Sequence, residues 1–208
     1  MWGLIKVIDR AESEFNGTVQ IVSTLEGTRI VAGGVSQSGW LVGKVWNAAL
    51  KKILKTKPVV KSVLILGLGG GSAARLVNKY WPSAKITGVD IDPIMINFGK
   101  KYLDLDKIAN LEIVESDAVK FIDNTKVKYD LILMDIYTGA VIPEQFVKKD
   151  FLEKVKGILN PEGIAAINHL YTSIESKDAK KLEVELRNIF SGLITVKPEA
   201  NIIFLCFP

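Results

Sequence analysis

Short, mostly apolar runs alternate with amphipathic segments along the chain from about residue 60 onward. The runs span four to six residues and predict strands, and the first of them is apolar throughout, as expected for burial on both faces. Repeated strand–helix units require a mostly parallel sheet with right-handed crossovers. The predicted strands cover residues 63–66, 85–89, 111–114, 130–134, 164–167, 193–196 and 202–207. The predicted helices cover residues 40–54, 72–80, 93–102, a short stretch around 119, 143–159 and 177–190.

The two ends of the chain depart from this alternation. Only a short turn containing Pro198 separates the last two strands, so they can pair only antiparallel. Near the start, β-branched stretches separated by turn-forming residues predict a small β-meander, which the Gly33-Gly34 pair is predicted to end. These stretches are residues 4–8, 18–25 and 29–32. We therefore predict an α/β protein with an N-terminal β-meander at residues 1–38. Residues 39–208 are predicted to form a Rossmann-like domain whose seven-stranded, mostly parallel sheet ends in an antiparallel hairpin.

Composition narrows the class of protein. Among the 208 residues, no apolar run approaches the roughly 18 residues that a membrane span needs. Lys6, Asp9 and Arg10 interrupt the first apolar residues, which therefore lack the pattern of a secretion signal. The single cysteine, Cys206, can form no internal disulfide, and no cysteine–histidine cluster could hold zinc. We expect a cytoplasmic protein with no metal and no membrane partner.

The net charge of +4 changes this picture little. Lysines gather at positions 51, 52, 55, 57 and 61, where they could neutralise the phosphates of a nucleic acid. They equally suit the solvated face of the helix predicted at residues 40–54, and no aromatic residue lies among them to stack on bases. Nucleic acid is therefore not the expected partner, and RNA binding through these lysines is left as an alternative.

A glycine-rich turn, Gly67-Leu68-Gly69-Gly70-Gly71-Ser72, follows the first strand of the predicted parallel sheet and opens a helix. Ligands of such sheets bind outside the carboxyl ends of the strands. The four glycines are predicted to leave room for a ligand against backbone amides, and the helix N-terminus to favour an anion. Ser72 stands where a dinucleotide fingerprint has its third glycine, and no Gly-Lys-Ser/Thr follows as in a phosphate loop.

Acidic residues follow the next three strands at the same edge of the sheet. Asp90 lies about 20 residues past the glycines, where a carboxylate accepts hydrogen bonds from both hydroxyls of a ribose, and Ile91 belongs to the same predicted site. Asp117 is predicted to accept the amino group of an adenine while the Ala118 amide donates to the ring; alternatively, Asp117 caps the next helix. Asp135 is predicted to project into the cleft.

Asp92 precedes Pro93 and is predicted to cap a helix rather than to bind a ligand. One acidic residue for the ribose, another for the adenine and a short glycine turn together predict a site for a nucleoside without phosphates. The predicted cofactor is therefore S-adenosylmethionine, or a close relative of it, rather than NAD.

These residues resemble the spermidine synthase, or polyamine aminopropyltransferase, branch of the class I S-adenosylmethionine-dependent methyltransferase superfamily. The resemblance covers nearly the whole chain and rests on residues 33–38, 63–75, 89–93, 116–118 and 129–135. It implies that Gln37, Asp90 and Asp117 contact the nucleoside and that Asp135 lines the reaction centre. It also implies a homodimer, and for aminopropyl transfer it implies decarboxylated S-adenosylmethionine as the donor.

Two positions differ from the family pattern. Gly70 stands where the family carries an Asp that meets the aminopropyl amine, and the segment 136–139 lacks the second acid that grips the polyamine. Without the first acid, the helix N-terminus is expected to present free amides to the carboxylate of intact S-adenosylmethionine. We therefore predict a methyltransferase acting on a small acceptor, with amines among the candidates.

Asp135, Tyr137 and His169 are the predicted catalytic residues. His169, the single histidine, follows the fifth strand of the large sheet and is predicted to face the cleft as a base; a hydrogen-bonded loop histidine is the alternative. Tyr137 could stack on the acceptor or pack beneath the following loop. Two other functions stay open, namely aminopropyl transfer and non-catalytic nucleoside binding or assembly.

Overall fold

The computed structural model describes residues 5–172 and 176–208. The strands in these residues form two separate sheets. Leu4 of the first predicted strand lies outside these residues. Within them, no helix is long and apolar enough to cross a membrane. The small sheet is antiparallel and contains, in spatial order, β1 (Lys6–Ser13), β2 (Gly17–Thr24), β3 (Gly27–Ala32) and β4 (Val35–Ser38).

The fourth strand of the small sheet was not predicted. The Gly33-Gly34 pair does not end the meander, because both glycines have positive φ angles (57° and 77°) and turn the chain back as β4. Three of the four residues of β4 are polar and only its last residue, Ser38, is buried. No apolar alternation in the sequence could therefore reveal this strand.

The predicted large sheet is confirmed. Its strands are β5 (Ser62–Leu66), β6 (Lys85–Asp90), β7 (Leu111–Glu115), β8 (Tyr129–Met134), β9 (Leu159–Leu170), β10 (Gly192–Val196) and β11 (Asn201–Phe207). Their spatial order is β10-β11-β9-β8-β5-β6-β7. The pairings among β5 to β9 are parallel, whereas β11 runs antiparallel to both of its neighbours. The C-terminal hairpin is thus antiparallel, as its short turn requires.

The α-helices in the described residues are α1 (Trp40–Thr56), α2 (Ser72–Tyr80), α3 (Pro93–Leu103), α4 (Ala118–Asn124), α5 (Lys149–Gly157) and α6 (Ser176–Ile189). The single helix predicted at residues 143–159 is wrong, because Lys148 is extended and separates a short 3-10 turn from α5. Phe146 and Phe151 would lie on different sides of a continuous helix. The break lets their rings pack edge to face, 5.0 Å apart, in the core.

Helices cover both faces of the large sheet, as the apolar strands require. Trp46 of α1 and Ile65 of β5 belong to the buried cluster on one face, and Phe204 of β11 belongs to the cluster on the other face. A third cluster joins the small sheet to α3 through residues such as Ile30 and Met95. Burial of this apolar surface is the main favourable contribution to folding.

The order of the strands reverses at β5. The chain continues from β5 to β6 and β7 on one side and returns to β8 and β9 on the other. In open α/β sheets, a ligand cleft forms at this position, outside the carboxyl ends of the strands. The small sheet closes one side of the cleft, where a Cβ atom on Gly33 would lie only 2.8 Å from the Gly139 Cα atom in the loop after β8.

Candidate functional site

A cavity of about 670 Å³ lies at the carboxyl ends of the central strands, between the large sheet, α1 and the small sheet. Its volume is in the range of small-molecule sites. The predicted site residues that line it are Gln37, Gly67, Gly69, Asp90, Ile91, Asp117, Ala118, Asp135 and Tyr137. Gly70, Gly71 and His169 are not part of its lining.

Gly67 and Gly69 form the part of the glycine turn that faces the cavity. Both have positive φ angles, and a Cβ atom on Gly67 would lie 2.3 Å from the Asp135 carbonyl oxygen, so this position requires glycine. The Gly67 amide donates to the Val89 carbonyl oxygen at 2.9 Å. The Gly69 amide donates to Asp90 Oδ2 at 2.6 Å. These two glycines therefore make room for a ligand without offering it their amides.

Gly70 and Gly71 lie on the far side of the turn. The Gly70 amide donates to Ser38 Oγ at 2.6 Å, and the Gly71 amide donates to the Leu68 carbonyl oxygen at 3.0 Å. A Cβ atom on Gly70 would lie 2.6 Å from Leu103 Cδ1. The predicted cavity contacts of Gly70 and Gly71 are therefore wrong, because the amides of residues 67–71 bond to the protein itself. The expectation of free amides at the N-terminus of α2, which begins at Ser72, stays a prediction.

Asp90 lies at the tip of β6, partly buried in the cavity wall. Besides the Gly69 amide on Oδ2, it accepts the Asp92 amide on Oδ1 at 3.0 Å. Burial raises the pKa of Asp90 to about 6, and the backbone hydrogen bonds oppose that rise. Each carboxylate oxygen can accept a further hydrogen bond, so Asp90 can receive two adjacent hydroxyl groups.

Asp117 caps α4 and also lines the cavity. Its Oδ1 atom accepts the amides of Val119 and Lys120 at 2.8 and 3.0 Å, so the capping alternative is confirmed. Its other oxygen, Oδ2, makes no hydrogen bond to the described residues. Ala118, the first residue of α4, and Ile91, which follows Asp90, line the same part of the cavity.

Asp135 follows β8, and both of its carboxylate oxygens accept hydrogen bonds. Trp46 Nε1 of α1 donates to Oδ2 at 2.7 Å, and Asn168 Nδ2 of β9 donates to Oδ1 at 2.8 Å. Asn201 Nδ2 of β11 donates in turn to Asn168 Oδ1 at 3.0 Å. Burial raises the pKa of Asp135, and the two hydrogen bonds oppose the rise. This network fixes the carboxylate in the cavity wall with neutral donors.

Tyr137 and Gln37 meet at the loop after β8. The Tyr137 hydroxyl donates to the Asn168 carbonyl oxygen at 3.3 Å, and its ring lines the cavity. Gln37 Nε2 of β4 donates to the Gly139 carbonyl oxygen at 2.8 Å. Gln37 thus joins the small sheet to the loop that carries Tyr137.

His169 does not face the cleft, so the prediction that placed it there as a base is wrong. β9 continues through Leu170, and adjacent residues of a strand point to opposite faces. Asn168 lines the cavity, and His169 is therefore directed to the other side of the sheet, where its Nδ1 atom lies 2.6 Å from the Leu170 carbonyl oxygen.

Several residues with a place at the site had been given no functional role from the sequence. Arg29 of β3 lines the cavity but belongs to no motif. Trp46 is a buried core residue whose indole also donates to Asp135, and no motif marks it. Ser38 lies in the strand that was not predicted. Asn168 carried a usable signal, since it is a polar residue at the end of an apolar strand.

The cavity brings the predicted acids together at one edge of the large sheet. Asp90 and Asp117 offer acceptors at the ends of neighbouring strands, and Asp135 lies across the switch point from them. Among the described residues, no group of three or more acidic, histidine or cysteine side chains is placed to hold a metal ion.

Comparisons with known proteins point to one family. Residues 51–202 match the model of the spermine/spermidine synthase domain. A polyamine aminopropyltransferase from Chromobacterium violaceum is 32% identical over 142 residues, covering 68% of this chain and 53% of that protein. An eEF1A lysine and N-terminal methyltransferase homolog from Drosophila melanogaster is 29% identical over 155 residues, covering 70% of this chain and 23% of that protein.

A solved structure shares the fold. The crystal structure of a probable spermidine synthase from Corynebacterium glutamicum has a TM-score of 0.81 and 19% identity, covering 97% of this chain and 80% of that chain. The chain spans about half the length of the matched aminopropyltransferase and about a quarter of the matched methyltransferase. The family model covers most of the chain, including the glycine turn and Asp90, Asp117 and Asp135. The chain therefore belongs to the spermine/spermidine synthase domain family.

Proposed function

We propose that this chain binds intact S-adenosylmethionine in the cavity and transfers its methyl group to a small nucleophile, with amines as the expected class of acceptor. One observation carries the proposal. Two of the lining acids, Asp90 and Asp117, lie at the ends of the neighbouring strands β6 and β7, whereas one acid, Asp135, lies at the end of β8 beside the transfer region. The cavity thus suits an adenosyl donor better than it suits a polycationic acceptor.

The nucleoside half of the donor fits Asp90 and Asp117. Asp90 can receive the two ribose hydroxyls, because each of its oxygens has a lone pair beyond the bonds to Gly69 and Asp92. Asp117 Oδ2 is left over from the helix cap and can accept the amino group of the adenine. Ile91 also lines the cavity and can pack on the adenine ring.

Methyl transfer is favoured over aminopropyl transfer by the shortage of acids around the transfer region. A polyamine carries several positive charges and needs several carboxylates. Asp135 is a single carboxylate there, and Glu199, another lining acid, lies 3.4 Å from Lys44. Position 70, where the family carries an acid, is glycine in this chain and supplies none.

For methyl transfer, the protein has to position the donor and the acceptor and to supply a proton acceptor. The lone pair of the acceptor bonds to the methyl carbon while the carbon–sulfur bond breaks, and the sulfonium becomes a neutral thioether. Alignment and exclusion of water lower the barrier of such a displacement. The methylated amine then loses a proton. Asp135 is the group best suited to take that proton, because its pKa is raised.

The family match supports a second candidate, aminopropyl transfer from decarboxylated S-adenosylmethionine. A calorimetric panel separates the candidates, using S-adenosylmethionine, S-adenosylhomocysteine, the decarboxylated donor, methylthioadenosine and NAD. We expect the adenosyl compounds to bind, with intact S-adenosylmethionine bound more tightly than its decarboxylated form. A ligand at 100 times its dissociation constant should stabilise the fold by about 2.7 kcal/mol in a parallel thermal shift.

Three results would change the assignment. Binding of NAD without any adenosyl compound would overturn the nucleoside site as described. Tighter binding of the decarboxylated donor would replace methyl transfer by aminopropyl transfer. In the third result, the donor binds while mass spectrometry detects no methylated polyamine, primary amine or lysine peptide. That result would favour a non-catalytic binding protein.

A further inference from the structure

The guanidinium of Arg29 is nearly unpaired at the cavity wall. Its Nη1 atom donates only a long hydrogen bond, 3.5 Å, to Ser36 Oγ, and its Nε atom is buried without a hydrogen-bond partner. No carboxylate among the described residues forms an ion pair with Arg29. A hydrogen bond from Thr24 lowers the pKa of Glu26, an exposed acid, and the positive charge of Arg29 lowers that pKa less. A buried donor of this kind without a partner costs free energy.

Arg29 is also the one cationic side chain in the described lining of the cavity. The charged side chains in the described lining are Asp90, Asp117, Asp135, Glu199 and Arg29, so four acids accompany one base. An anionic group of a ligand would meet repulsion at the acids and attraction at Arg29. Arginine is the residue best shaped to bind a carboxylate through two parallel hydrogen bonds.

The position of Arg29 matches one end of the proposed donor. Gly39, whose Cβ atom would lie 2.7 Å from Arg29 Cβ, directly follows Ser38, which accepts the Gly70 amide. Arg29 thus lies on the same wall of the cavity as the glycine turn. Gly69 of this turn donates its amide to Asp90. A donor with its ribose on Asp90 has its amino acid part along this wall.

The amides of residues 67–71 in the glycine turn are not available to the carboxylate of that part. The amides of residues 67–71 donate to protein acceptors, namely the Val89 and Leu68 carbonyl oxygens, Asp90 and Ser38. We propose that Arg29 binds the carboxylate of the donor and thereby selects S-adenosylmethionine over its decarboxylated form. This assignment rests on the proposed adenosyl site and names the residue that sets its specificity.

A cycle of two proteins and two ligands tests the assignment. The proteins are wild type and Arg29→Met, and the ligands are S-adenosylmethionine and decarboxylated S-adenosylmethionine, which differ in the carboxylate alone. Calorimetry should show wild type preferring the intact donor at least tenfold, as expected for hydrogen bonds between charged groups, and Arg29→Met preferring it less than threefold. Methylthioadenosine, which has no carboxylate, should bind both proteins equally and reports that the variant is folded.

Arg10→Met is the matched control, because Arg10 is exposed on β1 of the same small sheet and does not line the cavity. It should keep the wild-type preference. If Arg29→Met loses methylthioadenosine as well, Arg29→Gln takes its place in the cycle. A preference that survives removal of Arg29 overturns this assignment while leaving the nucleoside site intact. Absence of binding by every adenosyl compound to wild type overturns the proposed function and this assignment together.

Discussion

At the scale of single residues, Asp90 links ligand binding to pH. Its pKa is raised from 3.8 to about 6, so the folded chain favours the protonated carboxyl. The stability gained from protonation is present below about pH 4 and is lost as the pH rises through about 6. At neutral pH, the ionised Asp90 therefore lowers the free energy of unfolding, by at most roughly 3 kcal/mol. Ribose hydroxyls that donate to this carboxylate would favour its ionised form.

S-adenosylhomocysteine should accordingly bind about tenfold more weakly at pH 5 than at pH 7, because protonation of Asp90 competes with the ribose. Asp90→Asn should bind at least tenfold more weakly than wild type at pH 7 and should lose the pH dependence. Calorimetric titration at the two pH values measures both effects. Asp117→Asn is the control and should retain the dependence. Equal affinity of wild type at pH 5 and pH 7 would remove the Asp90 carboxylate from the ribose site.

Single residues were predictable where one strand end determined their position. Asp90 ends β6, Asp117 lies two residues past β7 and Asp135 directly follows β8, and the strand ends of a parallel sheet meet at one edge. His169 was misplaced because β9 runs past the apolar residues that defined it, and a shift of one residue changes the face. The partner of the Gly70 amide, Ser38, is distant in the chain and lies in an unpredicted strand.

At the scale of elements, one carboxylate ties α3 to the small sheet. Asp92 is 1% exposed, and its Oδ1 atom caps α3 by accepting the amides of Ile94 and Met95. Its Oδ2 atom accepts the Ser13 hydroxyl at 2.6 Å and the Asn16 side-chain amide at 2.8 Å. The cap therefore also holds the β1–β2 hairpin against the helix.

Asp92→Ala should lower the free energy of unfolding by about 2–4 kcal/mol, because it removes a helix cap and leaves the buried Ser13 hydroxyl without its acceptor. Asp117→Ala removes a cap with the same two-amide geometry but no such tie, and it should cost only about 1 kcal/mol. Urea denaturation of both variants measures the difference. Equal losses would mean that the tie to the small sheet contributes nothing to stability.

Elements were predictable from the sequence where burial imposed a period. Strands β5 and β8 are buried on both faces, and α1 carries a continuous apolar stripe, so both kinds of element stand out. β4 carries no such period. The break at Lys148 depends on how Phe146 and Phe151 pack together, which is a tertiary contact that local spacing does not encode.

At the scale of the whole molecule, the lysine-rich face lies far from the cavity. Leu41 and Val45 in the first turns of α1 line the cavity, whereas the exposed Lys51, Lys52 and Lys55 lie in its second half. A helix rises about 20 Å between positions as far apart as Leu41 and Lys55. A nucleic acid bound to these lysines would not bring an acceptor to the donor.

Reversal of two of these charges, Lys51→Glu with Lys55→Glu, should leave the retention of RNA and DNA on a filter and the affinity for S-adenosylhomocysteine within twofold of wild type. The same exchange at Lys177 and Lys180 of α6, on the opposite face of the large sheet, provides the control. A salt-dependent RNA affinity of wild type that only the α1 variant loses would contradict this prediction and support RNA binding.

The overall architecture was predictable because strand–helix alternation and the short C-terminal turn leave few topologies open. The composition of the cavity was not, since one of its walls comes from the small sheet. Arg29, unlike Gln37, belongs to no motif and reaches the site only because that sheet packs beside the loop after β8. Such a contact between distant segments has no signature in local sequence.

The separation of the two sheets has a consequence for evolution. Among the described residues, no backbone–backbone hydrogen bond joins β1–β4 to the rest of the chain; the junction consists of side-chain contacts such as those of Gln37 and Asp92. Substitutions in β3 and β4 can therefore reshape one wall of the cavity while the strand register that holds Asp90 and Asp135 stays unchanged. A lineage built in this way can exchange its donor without rebuilding its reaction centre, and the presence of both aminopropyltransferases and methyltransferases among the relatives of this chain is an outcome that such independence permits.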